Sequence, residues 1–240
     1  MSGHSKWSTI KRQKGVADAK RGAAFTKISN AITIAVKQGG GIGDPDVNPR
    51  LRLIMETARA NNMPKENIER AIKRATDKSA GELTELTYEG FAPGGVSIMV
   101  EAVTDNTNRT TSEVKSLFNK SGASFAGPGS VSYQFEQLGE ITINKKDNSI
   151  DDIFLKAAEL GATDIEDGEG EAYIYTSVTD LAKVKDALAK EGFEIIEAQI
   201  YRKPTNKVEI EGEKKEKILN FLLNLEEMDD VQKVYSNIAV

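Results

Sequence analysis

The spacing of apolar residues changes near Gly81, and this change restricts the chain to two kinds of structure in succession. Before Gly81, apolar residues recur every three or four positions, as they do along one face of a helix. Beyond it, short runs rich in β-branched and apolar residues alternate with helical stretches, which is typical of strands and helices in sheet-based domains. The sequence therefore predicts an α+β fold with a helical first part.

Three amphipathic helices are predicted before Gly81. The first runs from about Asp18 to Gln38 and ends at the glycines of Gly39–Gly41. Asn48-Pro49 supplies an N-cap and a first-turn proline for the second helix, and Met63-Pro64 begins the third in a similar way. Because short amphipathic helices are marginal alone, we expect the three apolar stripes to pack together.

Beyond Gly81 the chain holds one complete set of elements and two incomplete ones. The complete set has the order βαββαβ of a ferredoxin-like fold, with elements at 140–143, 150–160, 163–166, 171–176, 178–190 and 194–202. Before it we predict a strand at 96–103, a helix at 107–120 and a strand at 131–135. After it we predict a strand, a helix and a strand at 207–210, 213–226 and 231–236. Two strands and one helix cannot bury both faces, so the two halves are expected to combine.

These elements predict three domains: a helical N-terminal domain plus two ferredoxin-like α/β domains, one of them discontinuous. The basic three-helix domain is placed at 1–79. The discontinuous ferredoxin-like domain is placed at 80–136 plus 205–240, and the inserted ferredoxin-like domain at 137–204.

The net charge of −5 conceals an uneven distribution of charged residues. Residues 1–79 carry 16 Lys and Arg against 7 Asp and Glu, a balance of +9. Residues 80–240 carry 16 against 30, a balance of −14. Lys and Arg neutralise phosphates and release their counterions, so a basic segment of this kind suits a polyanion. Nucleic acid is therefore the expected partner of the N-terminal part.

The candidate nucleic-acid-binding residues form two groups. In the first, Trp7 is interleaved with cations, and its ring either stacks on an exposed base or packs against the helices. In the second, Arg70, Lys73 and Arg74 share a helix face by their spacing, with pairing to acidic residues of that helix as the alternative. The full set is Lys6, Trp7, Lys11, Arg12, Lys14, Lys20, Arg21, Lys27, Arg50, Arg52, Arg70, Lys73 and Arg74.

Other sequence features argue against a catalytic, metal-binding or nucleotide-binding site. The lack of cysteine and the single histidine, His4, exclude thiolate sites and paired imidazole ligands. Gly39–Asp44 follows a helix and lacks Gly-Lys-Ser/Thr, so it is neither a P-loop nor a dinucleotide fingerprint. Polar residues at Thr104–Thr110 are explained by helix capping, with anion binding at the helix start as the alternative. Asp164–Glu171 does not match a calcium loop. We predict no catalytic residue, no metal and no cofactor.

The expected location follows from two features that the sequence lacks. No stretch approaches the ~18 consecutive apolar residues of a membrane span, and the first residues lack the apolar region of a signal peptide. We therefore expect a cytoplasmic protein that does not contact membranes, and we also expect it to be a monomer. The alternative function is that of a protein-interaction adaptor. In that case the basic residues 1–79 only keep the protein soluble or dock on acidic partners.

A series of short motifs, in order along the whole chain, resembles the YebC family. They are Gly3-His4-Ser5-Lys6-Trp7, Asp18-Ala19-Lys20-Arg21-Gly22, Phe25-Thr26-Lys27, Asn48-Pro49-Arg50-Leu51-Arg52, Asn62-Met63-Pro64-Lys65, Ile68-Glu69-Arg70-Ala71-Ile72, Tyr88-Glu89-Gly90, Pro93-Gly94-Gly95 and Asp230-Val231-Gln232-Lys233-Val234-Tyr235. The resemblance implies a helical N-terminal domain, two ferredoxin-like domains and no catalysis.

The resemblance also implies a role in gene expression. Proteins of this family are described as transcriptional regulators that bind DNA, or as ribosome-associated factors that help translation through consecutive prolines. Mitochondrial relatives include the translational activator of cytochrome oxidase subunit one. The expected function is a non-enzymatic nucleic-acid-binding regulator of gene expression, with DNA and ribosomal RNA as competing targets.

Overall fold

The computed structural model of the protein describes residues 18–77, 82–146 and 148–239. These residues fall into two compact units. The larger unit comprises 18–134 and 210–238, and the inserted unit comprises Phe135–Glu209 with Ala239. Within the described ranges, no helix combines the length and the apolar content that crossing a bilayer requires.

The described residues form seven α-helices, ten β-strands and one 3₁₀ turn. The helices are α1 Asp18–Gln38, α2 Pro49–Ala60, α3 Lys65–Thr76, α4 Thr107–Lys120, α5 Ile150–Glu159, α6 Leu181–Lys190 and α7 Gly212–Glu227. The strands are β1 Thr84–Ala92, β2 Val96–Thr104, β3 Ser124–Ala126, β4 Phe135–Asn144, β5 Asp164–Asp167, β6 Glu171–Thr176, β7 Glu194–Pro204, β8 Val208–Glu209, β9 Val231–Ser236 and β10 Ile238–Ala239. The 3₁₀ turn is Ser132–Gln134.

The three helices predicted before Gly81 are present and share one core. Ile32, Val36 and Leu51 lie in its centre, with no exposed surface. Asn48 joins the first two helices. Its side-chain oxygen accepts a hydrogen bond from Leu51 N at 3.0 Å, and its amide donates to Ala35 O at 2.9 Å. One buried side chain thus caps the start of α2 and holds it against the end of α1.

The larger unit also contains a four-stranded antiparallel sheet with strand order β3-β1-β2-β9. Two helices, α4 and α7, pack against each other, with the rings of Phe118 and Phe221 edge to face at a centroid distance of 5.0 Å. The apolar run at 96–103 becomes β2, which lies in the middle of the sheet and is buried along almost its whole length. Both faces of this strand are therefore covered.

The strand predicted at 131–135 is wrong. Residues 132–134 form the 3₁₀ turn, and Phe135 begins β4 of the inserted unit. The partners of β2 are instead β1, which was not predicted, and β9, with Met99 opposite Tyr235. The predicted strand at 96–103 and helix at 107–120 are present, but the strand that follows the helix is β3 at Ser124–Ala126, and the unpredicted β1 precedes them and pairs with both β2 and β3.

The inserted unit confirms the predicted βαββαβ order. Its sheet is antiparallel with strand order β5-β6-β4-β7, the arrangement of a ferredoxin-like fold. Helix α6 lies close to the sheet at Gly139, where an added Cβ would stand 2.8 Å from Leu181 Cβ. The boundaries proposed for three domains, at 79, 136 and 204, stay a prediction.

Candidate nucleic-acid interface

The predicted interface begins outside the part of the chain that the structure describes. Five of its residues precede residue 18: Lys6, Trp7, Lys11, Arg12 and Lys14. Lys20 and Arg21 belong to the start of α1, but the description of side chains begins at Gly22. The structure therefore provides geometry for the remaining six predicted residues.

Two of these six cations contact other segments of the larger unit. Lys27 Nζ donates to the carbonyl oxygen of Glu226 near the end of α7. Arg50 Nη2 lies 3.1 Å from Glu85 Oε1, and each of the two side chains is 41% exposed. Both cations therefore have a structural role within this unit.

Two others are held by polar groups of the helical part. Arg52 donates from Nε to Pro45 O at 3.0 Å and from Nη2 to Asp46 O at 2.9 Å. Arg74 Nη1 donates to Asn30 Oδ1 at 3.3 Å. The guanidinium of Arg52 thus fixes the loop before α2. Substitution of Arg52 would therefore disturb this loop directly, whether or not the side chain also contacts a ligand.

Arg70 and Lys73 differ from these four. Both lie on the exposed side of α3, and neither side chain forms a hydrogen bond or ion pair with any residue in the described ranges. The acidic residue Glu69 pairs with Lys65 at 3.4 Å. Arg59, exposed in the last turn of α2, resembles Arg70 and Lys73 in lacking such contacts. These three side chains are available to an anionic partner.

The polar residues at Thr104–Thr110 serve the fold. Asn106 caps α4 by accepting from Arg109 N at 3.0 Å. Asp230, just before β9, accepts from Arg109 Nη2 at 2.8 Å, Thr110 Oγ1 at 2.6 Å and Thr104 Oγ1 at 3.1 Å. An anion at this helix start would meet the Asp230 carboxylate, so the geometry favours the capping interpretation.

The same contacts change the acidity of Asp230. Burial by itself would raise the pKa of this carboxyl group. The hydrogen bonds from Arg109, Thr110 and Thr104, with the positive charge of Arg109, outweigh burial and hold the pKa below its usual value. The ionised form is therefore the one that ties β9 to α4.

Asp230→Asn is expected to lower the free energy of unfolding at pH 7 by about 2 kcal/mol, because hydrogen bonds to a charged acceptor become bonds to a neutral one. The folded-state pKa is depressed, so this stabilisation is complete above the ordinary aspartate pKa and is lost as pH falls through the lower value. Urea unfolding of the unmodified protein and of Asp230→Asn should show that their difference in unfolding free energy is smaller at pH 3 than at pH 7.

The control is Asp105→Asn, which removes a more exposed partner of Arg109. A difference of equal size at both pH values would contradict the role of the charge.

A second carboxylate, Glu89 in β1, holds the loop that follows β3. Glu89 is 4% exposed. Its Oε1 accepts from Gly129 N at 2.9 Å, and its Oε2 accepts from Val131 N at 2.6 Å and Ser132 N at 3.1 Å. Burial would raise the pKa of Glu89, but the three backbone hydrogen bonds outweigh it and lower the pKa. One side chain thus satisfies three backbone donors of a loop some 40 positions away.

Sequence reasoning missed the roles of Glu89 and Asp230. Both occur in motifs that carry the family resemblance, yet neither was assigned a contact. The available signal was an acidic residue inside or beside an otherwise apolar strand, since such a group must find donors when it is buried. The donors themselves are distant in the chain, and no local pattern identifies them.

A charged cluster in the inserted unit has all its members paired. Lys203 Nζ lies 2.6 Å from Asp164 Oδ2, 3.0 Å from Glu166 Oε1 and 3.8 Å from the centre of the Tyr175 ring. Burial would lower the pKa of Lys203, but the hydrogen bonds to the two carboxylates raise it overall. Across the described residues, no group of three or more His, Asp or Glu side chains is placed to hold a metal ion.

Comparison with known proteins identifies the family. A model described as the TACO1/YebC protein N-terminal domain matches residues 5–78, and one described as the TACO1/YebC second and third domain matches residues 83–238. The chain belongs to the TACO1/YebC family. This confirms the YebC resemblance and the α+β architecture of a helical N-terminal domain followed by two further domains.

Several relatives of this YebC-family chain are named "probable transcriptional regulatory protein". The one from Thermotoga maritima is 48% identical over 239 residues, which cover 99% of this chain and 93% of that protein. The one from Persephonella marina is 49% identical over 240 residues, with coverage of 99% and 95%. The crystal structure of a conserved hypothetical protein from Aquifex aeolicus shares 46% identity and a TM-score of 0.84, covering 92% of this chain and 91% of that one.

Proposed function

We propose that this chain is a non-enzymatic regulator of gene expression in the cytoplasm that binds nucleic acid through the cations of its first 79 residues. The observation that carries the proposal is the division of charge, +9 in residues 1–79 against −14 in the remainder. In a protein that is acidic as a whole, such a segment is the part that long-range electrostatic attraction draws toward a polyanion. The regulatory names of the bacterial relatives support the same function.

Exposed cations in the helical part support this proposal. Arg59, Arg70 and Lys73 have no hydrogen-bond or ion-pair partner in the described ranges, so binding a phosphate would break no such contact with those residues. By contrast, Arg52 binds the loop before α2, and Arg74 binds Asn30 of α1. The proposed interface therefore consists of the segment before residue 22 and the outer side of α3.

Ribosomal RNA is favoured over a DNA operator as the target. The start of α3 presents Glu66 and, one turn later, Glu69, both exposed. Carboxylates accept hydrogen bonds and are repelled by phosphate, so this helix is poorly suited to lie deep in a major groove. Contact with phosphates through shape and charge, which is usual for structured RNA, requires no such insertion.

Binding is expected to weaken steeply with salt. If about six phosphates are neutralised, a plot of log affinity against log salt should have a slope of roughly −5. Fluorescence anisotropy with a labelled RNA and a labelled DNA duplex, between low and moderate KCl, measures this slope. An affinity that does not change with salt would refute nucleic-acid binding through cations and favour the adaptor function.

Crosslinking in cells, followed by sequencing of the attached nucleic acid, identifies the target. Recovery of ribosomal RNA supports the favoured target, and recovery of promoter DNA supports a transcriptional regulator. If only proteins are crosslinked above background, the chain is an adaptor. Sedimentation with ribosomes at low salt is a rapid first test of the same question.

A further inference from the structure

The loop between β3 and β4 carries an aromatic ring that the fold does not use. Tyr133 is 74% exposed, which is more than any other large apolar side chain in the described residues. Aromatic side chains usually bury most of their area, because each has about 150–250 Å² of surface to remove from water. No aromatic ring or cation of the described residues packs on Tyr133.

The backbone on the N-terminal side of Tyr133 is fixed. Val131 is fully buried, and the amides of Val131 and Ser132 both donate to Glu89 Oε2. A third amide, that of Gly129, donates to Glu89 Oε1. The exposed ring is therefore attached to a segment that a buried carboxylate holds at three points.

The residue on the C-terminal side is fixed as well. Gln134 N donates to Val131 O at 2.9 Å and closes the 3₁₀ turn. The Oε1 of Gln134 accepts from Ser97 Oγ at 3.0 Å and from Asn237 Nδ2 at 3.4 Å. Asn237 in turn accepts from Ser97 N at 2.8 Å. The tyrosine projects from a rigid turn, so little conformational entropy is lost when a ligand covers its ring.

The chemistry around the ring fits a nucleobase. The hydroxyl of Tyr133 already accepts a hydrogen bond from Gln134 Nε2 at 3.2 Å, which leaves the ring as the surface without a partner. The segment Ala126–Gln134 contains no acidic residue, although residues 80–240 hold 30 of them. The carboxylate of Glu89 is buried under the loop. A phosphate chain can therefore approach here without repulsion from this loop, whereas a basic peptide would find no anion in it.

We propose that Tyr133 is a stacking platform for an unpaired base of a single-stranded nucleic acid, held in position by the Glu89-anchored loop. The inference rests on the proposed nucleic-acid function and adds the kind of strand and the residue that contacts it. Base–aromatic stacking is independent of base identity, so the platform recognises an unpaired strand without reading its sequence.

The test compares Tyr133→Ala, Tyr133→Phe and Tyr133→Leu in the full chain. The probe is a labelled single-stranded RNA of about 12 nucleotides, and a blunt duplex of the same sequence is the control. Tyr133→Phe should bind the single strand within about twofold of the unmodified protein, because it keeps the ring. Tyr133→Ala and Tyr133→Leu should bind it about tenfold more weakly, and all four proteins should bind the duplex alike. Because the side chain is exposed, thermal unfolding midpoints should be unchanged.

Other binding results would refute the stacking platform alone or together with the proposed function. If the unmodified protein binds with a steep salt dependence and Tyr133→Ala binds equally well, the platform is refuted and the proposed function stands. If Tyr133→Leu retains full affinity, the contact is merely apolar and stacking is refuted. Equal losses on single strand and duplex also refute an unpaired base as the ligand. If the unmodified protein binds neither probe, both the proposed function and the platform are refuted.

Discussion

Charge reversal of five N-terminal cations is expected to weaken nucleic-acid binding by about 100-fold or more while the fold persists. The five are Lys11, Arg12, Lys14, Lys20 and Arg21. Their replacement by glutamate changes the balance of residues 1–79 from +9 to −1, which removes counterion release and adds repulsion. Anisotropy with the same labelled RNA measures the affinity, and circular dichroism measures retention of the fold.

The control for this variant replaces five lysines on helices of residues 80–240, the acidic part of the chain, by glutamate. They are Lys120, Lys183, Lys190, Lys214 and Lys215. It changes the net charge of the whole protein by the same amount. We expect its affinity to stay within a few-fold of the unmodified protein, because long-range repulsion between exposed charges is screened by salt. Equal losses in the two variants would mean that net charge matters and that the N-terminal segment is not the interface. Full binding by the first variant would favour the adaptor function.

Glu89→Ala is expected to lower the free energy of unfolding by about 3–5 kcal/mol. The substitution leaves the backbone donors of Gly129, Val131 and Ser132 without their acceptor, and unsatisfied buried donors are each worth about 1–3 kcal/mol. It also opens space beneath the loop that carries Tyr133. Urea unfolding at pH 7, followed by circular dichroism, measures the change.

Glu85→Ala is the matched control, because Glu85 lies on the same strand but is exposed. Its carboxylate accepts from Arg50 and Gln38 on the surface, and exposed pairs of this kind contribute about 0–1 kcal/mol. We expect this variant to lose no more than that. If both substitutions destabilised the protein equally, the three backbone hydrogen bonds of Glu89 would not be the reason for its effect.

Elements whose signal is local were predicted well from the sequence. The helix at Asp18–Gln38 and the inserted βαββαβ unit follow from the periodicity of their own apolar residues, and the largest error in their bounds is at β4, which begins at Phe135 and not at the predicted residue 140. The cap at Asn48 is likewise local, since its oxygen binds Leu51 only three positions away. The same side chain's bond to Ala35 is not local and was not foreseen.

The wrong strand at 131–135 and the missed strand β1 share one cause, which is that hydrogen bonds to distant segments decide whether a stretch of backbone joins a sheet. Residues 131–135 have the composition of a strand, but Glu89 accepts the N–H groups of Val131 and Ser132, so these amides cannot join a ladder. The missed strand β1 has the opposite problem. Its sequence contains Glu85, Glu89 and Gly90, which are unfavourable in an isolated strand, and it forms because β2 and β3 pair with its two edges.

The sequence by itself determined the α+β class, the helical start, the inserted βαββαβ unit and the concentration of cations in the first 79 residues, because each depends on residues close together in the chain. Only the tertiary structure decided which cations are available. Arg52 and Arg70 look alike in sequence, yet Arg52 meets two backbone carbonyls and Arg70 has no partner in the described ranges. It also decided that a strand near the end, β9, pairs with β2, and that Glu89 fixes the loop of Tyr133. The pairing of β9 and the anchoring of the Tyr133 loop depend on groups that lie tens to more than a hundred residues apart. The acceptors of Arg52 are close in sequence, at Pro45 and Asp46, but they are backbone carbonyls, and apolar spacing carries no record of any of these contacts.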